Sequence, residues 1–363
     1  MPLFALGFRP FYLLAGAYAA LSVPLWALQY SGWLPGANIL WHAHEMLFGY
    51  AFAVIAGFLL TAVRAWTGRA TPSGAALALL AAVWIAARAA APFSLPAASA
   101  LDMLFALGVA WGIGVPIIAS RNRNWFFIVL VLALGGCSLL FQAYPGTGLA
   151  LGLDVVLFVV AVMAGRVVPS FTNNAIPGAG ARRIAWLEYA ALGSILALLF
   201  QDIFGIEYPV LALAAAILHA ARLALWAPLK TRGRPILWIL HLSYAWIVVH
   251  LALRDLAGFN LVAAAIPTHA LTVGAIGGIT LGMMTRTSRG HTGRPLETGS
   301  AELAAYLLVQ AAAVTRVLLP LAAPAAYVDL IAASGALWTA AFLVFTIAYY
   351  PILSRPRLDG QPG

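Results

Sequence analysis

One cysteine, Cys137, stands in the whole chain, and it lies inside an apolar stretch. A single thiol excludes an intrachain disulfide framework and a cysteine zinc knuckle. The absence of any CxxCH string excludes haem attached through thioethers. Charge is scarce as well: 9% of the 363 residues are Asp, Glu, Lys or Arg, against 63% apolar residues and a mean hydropathy of +0.95. That balance excludes a soluble two-domain protein of this length. The net charge of +9 does not point to nucleic acid, because the basic residues are scattered between apolar runs and nowhere clustered. Met1–Gly7 is too short for a signal peptide, and the first apolar run has no small-residue cleavage site, so the first helix is expected to stay in the mature protein.

What the chain does have is apolar runs of membrane-crossing length. A hydrocarbon core of ~30 Å needs ~20 helical residues. Cutting at charged and Pro/Gly-rich breaks predicts an all-α polytopic transmembrane helix bundle of about twelve spans. They fall near 10–30, 41–63, 75–92, 97–119, 125–143, 149–170, 184–203, 207–228, 235–254, 259–285, 300–319 and 325–351. Arginine and lysine gather in the breaks after even-numbered spans; only Arg88, Arg254 and Arg316 fall on the other side. The positive-inside rule then places both termini in the cytoplasm, with 352–363 a short cytoplasmic tail. No soluble insertion or linker interrupts the chain, which reads as a single transmembrane domain over 1–363 without a clear internal repeat.

Seven histidines are set into this frame. His42 and His44, with Glu45, open the second span in the string WHAHEMLFG. His250 lies about one turn inside the same side of span nine and His269 in the same half of span ten, so these four share a periplasmic layer. His219 and His241 share a deeper layer, and His291 falls in a basic loop. Ionisable side chains at membrane depth are costly and by default functional. The plain alternative for each histidine is a hydrogen bond across helices. His241 and His250 are nine residues apart, ~13.5 Å along one helix, so they cannot hold the same metal ion. His42 and His44 point ~200° apart on a regular helix, so they share a centre only if Trp41–His44 is irregular, and otherwise have separate jobs. Glu45 either orients an imidazole, relays protons, or simply complements the helix dipole. Arg166, ahead of VVPSFTNN, is suited to a carboxylate, whereas Arg222 reads as a residue snorkelling to head groups. Gly274, Gly278 and Gly282 give span ten a smooth face for close packing or a flat ligand.

Gly7–Tyr12 (GFRPFY), Trp41–Gly49 (WHAHEMLFG), Gly57–Gly68 (GFLLTAVRAWTG), Gly165–Asn174 (GRVVPSFTNN), His219–Trp226 (HAARLALW), His241–Trp246 (HLSYAW) and His269–Pro295 together resemble the NnrS family over nearly the whole chain. One departure is Arg64-Ala65, where a Pro-Asn is expected before Trp66. The resemblance implies a multi-pass protein of the bacterial inner membrane, linked to nitric oxide metabolism and nitrosative stress, that holds haem b and copper. On that footing His219 and His241 are expected to bind haem with Arg166 at a propionate. His42, His44, His250 and His269 are expected as metal ligands, with Glu45 in a catalytic role. The implied partners are the lipid bilayer, nitric oxide or a similar small gas, and a membrane or periplasmic electron donor; nucleic acid is not among them. The expected function is binding or turnover of nitric oxide or a related nitrogen oxide. A non-enzymatic copper or haem transporter, or a nitric oxide sensor, is the alternative.

Overall fold

The computed structural model describes residues 2–36, 38–206 and 208–361. The first residue of the 207–228 span and the last two of the 352–363 tail lie outside the described residues. The described residues are helical, without a strand among them. Among the described residues ten helices are long and apolar enough to cross a membrane: α1 (Phe8–Tyr30), α2 (Ile39–Thr67), α4 (Leu95–Ala119), α5 (Arg123–Ala143), α6 (Pro145–Ala175), α7 (Ala185–Phe204), α9 (Pro235–Gly258), α10 (Ala265–His291), α11 (Ser300–Ala322) and α12 (Pro324–Ser354). Two shorter apolar helices, α3 (Gly74–Ala90) and α8 (Leu211–Leu225), complete the series. Every span read from the sequence has its helix, and the protein is an all-α polytopic membrane bundle. Large apolar side chains such as Trp111, Trp186 and Ile347 face outward. In water that would be a liability; in lipid it is the matching surface.

Helix ends follow local chemistry. Asn38 caps α2 by accepting from the backbone N–H groups of Leu40 and Trp41, both at 3.0 Å. Gly68, at φ +66°, stops the same helix in the left-handed conformation that glycine adopts without steric cost. Two helices outrun their expected limits. The polar run VVPSFTNN stays helical to Ala175 because Thr172 donates its hydroxyl to the Val168 carbonyl one turn back. Helix α10 continues to His291, whose ring packs 5.6 Å from Phe8; it is a helix-end residue against an aromatic and not a solvated loop histidine.

Two helices change winding part-way. Glu45–Ala51 in α2 and Ala270–Gly277 in α10 are π-helical, and each stretch begins on the residue after a histidine, His44 and His269. Single π turns insert an extra residue and are common at functional sites. Ile39–His44 itself is regular α-helix, so the irregularity follows the histidine pair and does not contain it.

The chain divides into two compact units. The first comprises Met1–Val156, Met284–Leu296 and Phe345–Gly363; the second comprises Leu157–Met283 and Glu297–Val344. In the first, α2 packs on α1 and α4, and α4 on α3 and α5. In the second, α9 is the central helix, packed on α8, on the π-helical stretch of α10 and on α11. The glycine face of α10 meets α9 there. A Cβ on Gly274 would overlap the Trp246 ring, one on Gly278 would overlap Ser243 Oγ, and one on Gly282 would come within 2.9 Å of Ile239. Helix packing is therefore what that face does.

Candidate functional site

In each unit a buried arginine is hydrogen-bonded to carboxylates inside a network of ionisable groups. In the first unit the arginine is Arg88, near the end of α3. Its guanidinium donates through Nη1 to Glu45 Oε1 at 3.1 Å and through Nη2 to Asp102 Oδ1. Tyr18 donates its hydroxyl to Glu45 Oε2. His44 places Nδ1 2.8 Å from Glu45 Oε1, and its Nε2 lies 3.0 Å from Ser99 Oγ and 3.1 Å from Ser138 Oγ. Ser138 also lies 3.0 Å from Asp102 Oδ2, and Gln142 Nε2 donates to Ser99 at 2.6 Å. His44, Glu45, Asp102, Ser99 and Ser138 are wholly buried. Room for the guanidinium comes from Gly49 in the π-helical stretch, where a Cβ would overlap Arg88 Nη1. The Trp84 ring lies beneath, 5.7 Å from the guanidinium carbon.

In the second unit the arginine is Arg222, on α8. It holds Glu188 with a two-pronged fork, Nε to Oε1 at 2.9 Å and Nη2 to Oε2 at 2.7 Å. Nη1 donates to the Ala161 carbonyl at 2.9 Å and to the Tyr244 hydroxyl at 2.8 Å. Tyr244 in turn lies 2.6 Å from His219 Nδ1, and His219 Nε2 donates to the Ala191 carbonyl at 3.0 Å. Gly165 makes the space, since a Cβ there would overlap the guanidinium, and Trp226 lies 5.1 Å from its carbon. Arg222 is thus an interior ion-pair residue, and the snorkelling expectation is corrected: its head group is bonded inward to Glu188 and not raised to lipid head groups.

Six intramembrane histidines now have definite surroundings. His42 stacks on Trp26, ring centroids 4.0 Å apart and planes at 19°, while His44 turns into the Arg88 network, so the two have separate jobs. Both belong to the first unit; His219, His241, His250 and His269 belong to the second. His219 has both nitrogens bonded, as does His44, and neither has a nitrogen to spare for a metal in this arrangement. His241 differs. Its Nε2 lies 2.9 Å from Thr172 Oγ1, whose only proton goes to Val168, so Nε2 carries the proton and the lone pair is on Nδ1. His250 Nδ1 lies 2.8 Å from the Pro267 carbonyl, which can only accept, so its lone pair is on Nε2. Both nitrogens, His241 Nδ1 and His250 Nε2, are buried without a hydrogen-bond partner among the described residues. His269 takes the same tautomer as His250, donating from Nδ1 to the Ala265 carbonyl at 2.7 Å.

An imidazole with one N–H anchored on a carbonyl or hydroxyl and the other nitrogen bare is the form that ligates a metal or haem iron. His241 and His250 fit that requirement. Arg166, half-buried on α6, sits six positions before Thr172. Among the described residues no three His, Cys, Asp or Glu side chains converge as a ready-made metal cage. Sequence reasoning singled out Glu45 but missed Arg88, Asp102, Tyr18 and Glu188 as members of these networks. The rule that ionisable groups within spans are functional by default was the signal for Arg88, Asp102 and Glu188, which lie inside apolar runs.

None of the curated proteins compared matches the chain. The family model described as NnrS protein matches residues 2–357, and with nearly its whole length covered the chain belongs to the NnrS family.

Proposed function

We propose that this protein is a haem- and copper-holding inner-membrane protein that binds or turns over nitric oxide or a related nitrogen oxide, with both termini in the cytoplasm. Family membership supports the link to nitric oxide. The observation that carries the reading is the pair of buried, bare imidazole nitrogens on α9, His241 Nδ1 and His250 Nε2. Leaving a polar atom unpaired in a membrane interior costs on the order of 1–3 kcal/mol each, a cost that a bound metal removes. The nine-residue separation puts the two residues on opposite faces of α9 and ~13.5 Å apart along its axis, so they serve two centres.

His250 acts with His269, two residues beyond the Pro267 carbonyl that anchors it, and His241 serves the other centre with Arg166 as the cation for a propionate. Haem iron and copper, when bound, supply the gas-binding position and one-electron chemistry that side chains lack. The chain's own part is to fix the tautomers. Thr172 and Pro267 hold one N–H each, which aims the opposite lone pair and raises its basicity. Access needs no channel for a small apolar gas, which enters from lipid.

The test is an absorption spectrum with iron and copper analysis of purified protein, before and after nitric oxide, for wild type, His241→Ala and His250→Ala. Each variant is expected to lose one haem component or the copper, and His250→Ala to lose the nitric-oxide-induced shift. Retention of full metal content and an unchanged shift in both variants would overturn the reading and put a metal-free role first.

A further inference from the structure

Six arginines of the first unit converge where four of its helices reach the arginine-rich face. Arg9 stands in the first turn of α1, Arg64 in the last turn of α2, Arg289 near the end of α10 and Arg294 just after it, while Arg355 and Arg357 follow α12. The Phe8 N–H donates to Thr61 Oγ1 at 2.9 Å, which sets the start of α1 against α2. Arg9 Nη1 donates to the Leu353 carbonyl at 2.9 Å and to the Arg355 carbonyl at 2.8 Å, which brings the end of α12 to the same place. Arg357 Nη1 reaches the His291 carbonyl at 3.0 Å and closes the group on α10. Arg357, Arg64 and Arg9 act electrostatically on His291, Arg294 acts on Arg9, and Arg289 and Arg355 act on Arg294.

The charges at this end do not balance. Of the unit's four acids, Glu45, Asp102 and Asp154 lie within α2, α4 and α6, and among the described residues Asp359 alone shares the cluster's end. Many of the bonds that hold the guanidiniums go to carbonyls: Leu353 and Arg355 for Arg9, Pro295 for Arg289 at 2.7 Å, Thr292 for Arg294 at 3.4 Å and His291 for Arg357. A carbonyl fixes a guanidinium in place and offsets none of its unit charge. Arg9 is wholly buried, and Arg289, Arg294 and Arg357 are half-buried, so their mutual repulsion is screened less than at an open surface. Partial burial, then Arg289 and Arg355, push the Arg294 guanidinium below its usual range. Membrane orientation alone requires no such convergence, since exposed basic residues such as Arg232 and Arg234 serve it equally.

The surroundings point to a lipid. Leu296, two residues past Arg294, and Leu358, next to Arg357, are both exposed. Exposed apolar side chains beside guanidiniums at the ends of membrane helices suit the boundary between acyl chains and head groups. We propose that this arginine cluster is a binding site for an anionic phospholipid, whose head-group phosphate is held by the cluster's guanidiniums and whose acyl chains lie along the unit's outer surface. Guanidinium matches phosphate oxygens two at a time, and the lipid brings the negative charge that the cluster lacks.

The experiment is native mass spectrometry of the full chain in mild detergent, titrated with phosphatidylglycerol and with phosphatidylcholine of the same acyl chains. Phosphatidylglycerol is expected to bind more tightly by at least about fivefold, the factor that one basic residue contributes beside an anionic lipid. Arg294→Gln and Arg355→Gln are each expected to weaken phosphatidylglycerol about fivefold, whereas Arg232→Gln in the second unit leaves it unchanged. Should one of the two fail to fold, as judged by circular dichroism, the other decides. Equal binding of the two lipids, or wild-type affinity in both cluster variants, would overturn the proposal. Complete displacement of phosphatidylglycerol by millimolar inorganic phosphate would overturn it too, by giving the site to a soluble anion. None of these readouts depends on metal content or nitric oxide, so the ligand assignment and this proposal fail separately.

Discussion

The Arg88 and Arg222 clusters are built alike and balanced differently. Each lies within a turn of a tryptophan ring, each is given room by a glycine on a neighbouring helix, and each ends in a tyrosine and a histidine. Arg222 meets one carboxylate, and its neighbours Tyr244, His219 and two backbone carbonyls complete a set in which one positive charge faces one negative charge. Arg88 meets two carboxylates, and these meet a histidine whose second nitrogen faces hydroxyls that turn either way. A closed neutral pair holds helices together. An open one holds a second acid that the guanidinium alone does not offset, and the same scaffold yields either according to the number of acids placed around the guanidinium.

The largest effect expected from breaking this comparison is loss of the arginines. Removing one partner from a buried ion pair costs about 3–5 kcal/mol because the other charge is left without compensation. Arg222→Met strands Glu188 alone, where the exposed Arg183 at 3.3 Å offers partial relief. Arg88→Met strands two carboxylates, so it is expected to be the more damaging of the two by unfolding in detergent. Adding Asp102→Asn to Arg88→Met should recover part of the loss, with a coupling of roughly 1–3 kcal/mol in the double-mutant cycle. A larger penalty for Arg222→Met, or no recovery in the double variant, would break the contrast between an open and a closed cluster.

Next come the glycines. Gly49→Ala and Gly165→Ala each push a methyl into a guanidinium held by several hydrogen bonds, so the usual escape of a flexible side chain is blocked. Overpacking of this kind costs about 1–3 kcal/mol. Thermal shift measurements should show both variants below wild type. Gly136→Ala in α5, where a Cβ meets nothing within 4 Å, serves as the control and should be near neutral.

How much of this was legible in the sequence depends on the range of the interaction. The spans were, because length and hydropathy are local, and every helix appears in its place. The three basic residues that broke the charge asymmetry were legible as exceptions only. In the structure Arg88 is bonded to Glu45 and Asp102, Arg254 to Asp202 at 2.5 Å and Arg316 to Tyr327 at 3.3 Å, so each is held by an internal partner and reports nothing about topology. The Arg222–Glu188 pair joins residues 34 apart and Thr172–His241 residues 69 apart, distances over which periodicity carries no information. The π-helical stretches were also out of reach, since both sequences fit an ordinary helix. The histidines stand out in the sequence by their cost in lipid, but which nitrogen of His241 and of His250 is bare depends on Thr172 and Pro267, contacts that only the fold supplies.

A smaller effect sharpens the comparison from the tyrosine side. Tyr244→Phe removes the partner of His219 Nδ1 and the acceptor for Arg222 Nη1, two buried hydrogen bonds in a set with no substitute. About 1–3 kcal/mol is expected, the cost of stranding a buried polar group. Ser138→Ala in the other cluster should cost less, because Ser99 still faces His44 Nε2 at 3.0 Å. Equal losses would mean that the hydroxyls of the first unit are no freer to change partners than the phenol of the second.

The smallest effect belongs to an arginine–carboxylate pair that is not buried, and it measures what burial adds to the other two. Past the end of α12, Arg357 holds Asp359 with the same two-pronged fork, Nε to Oδ1 at 2.8 Å and Nη2 to Oδ2 at 2.5 Å, and its Nη1 donates to the His291 carbonyl at 3.0 Å. Leu358 N–H adds a bond to the Thr292 carbonyl at 3.1 Å, so the tail is tied to the end of α10. The hydrogen bonds from Arg357 pull the Asp359 carboxyl down from its ordinary range to about 2. A depressed carboxyl contributes its stabilisation in full above the unfolded value of about 3.9 and loses it as pH falls toward the folded one. The protection factor of the Leu358 amide, its exchange rate relative to the intrinsic rate at the same pH, should therefore be constant from neutral pH down to about 4 and fall between about 4 and 2, whereas Asp359→Asn should show weaker protection without that pH step. Salt should weaken the tail contact and leave the Arg222 pair untouched, because exposed charges are screened within about 8 Å at physiological ionic strength and buried ones are not. A tail whose protection ignores both acid and salt would show that the Leu358 backbone bond holds it alone, and that the fork is bystander geometry outside the membrane and structural only within it.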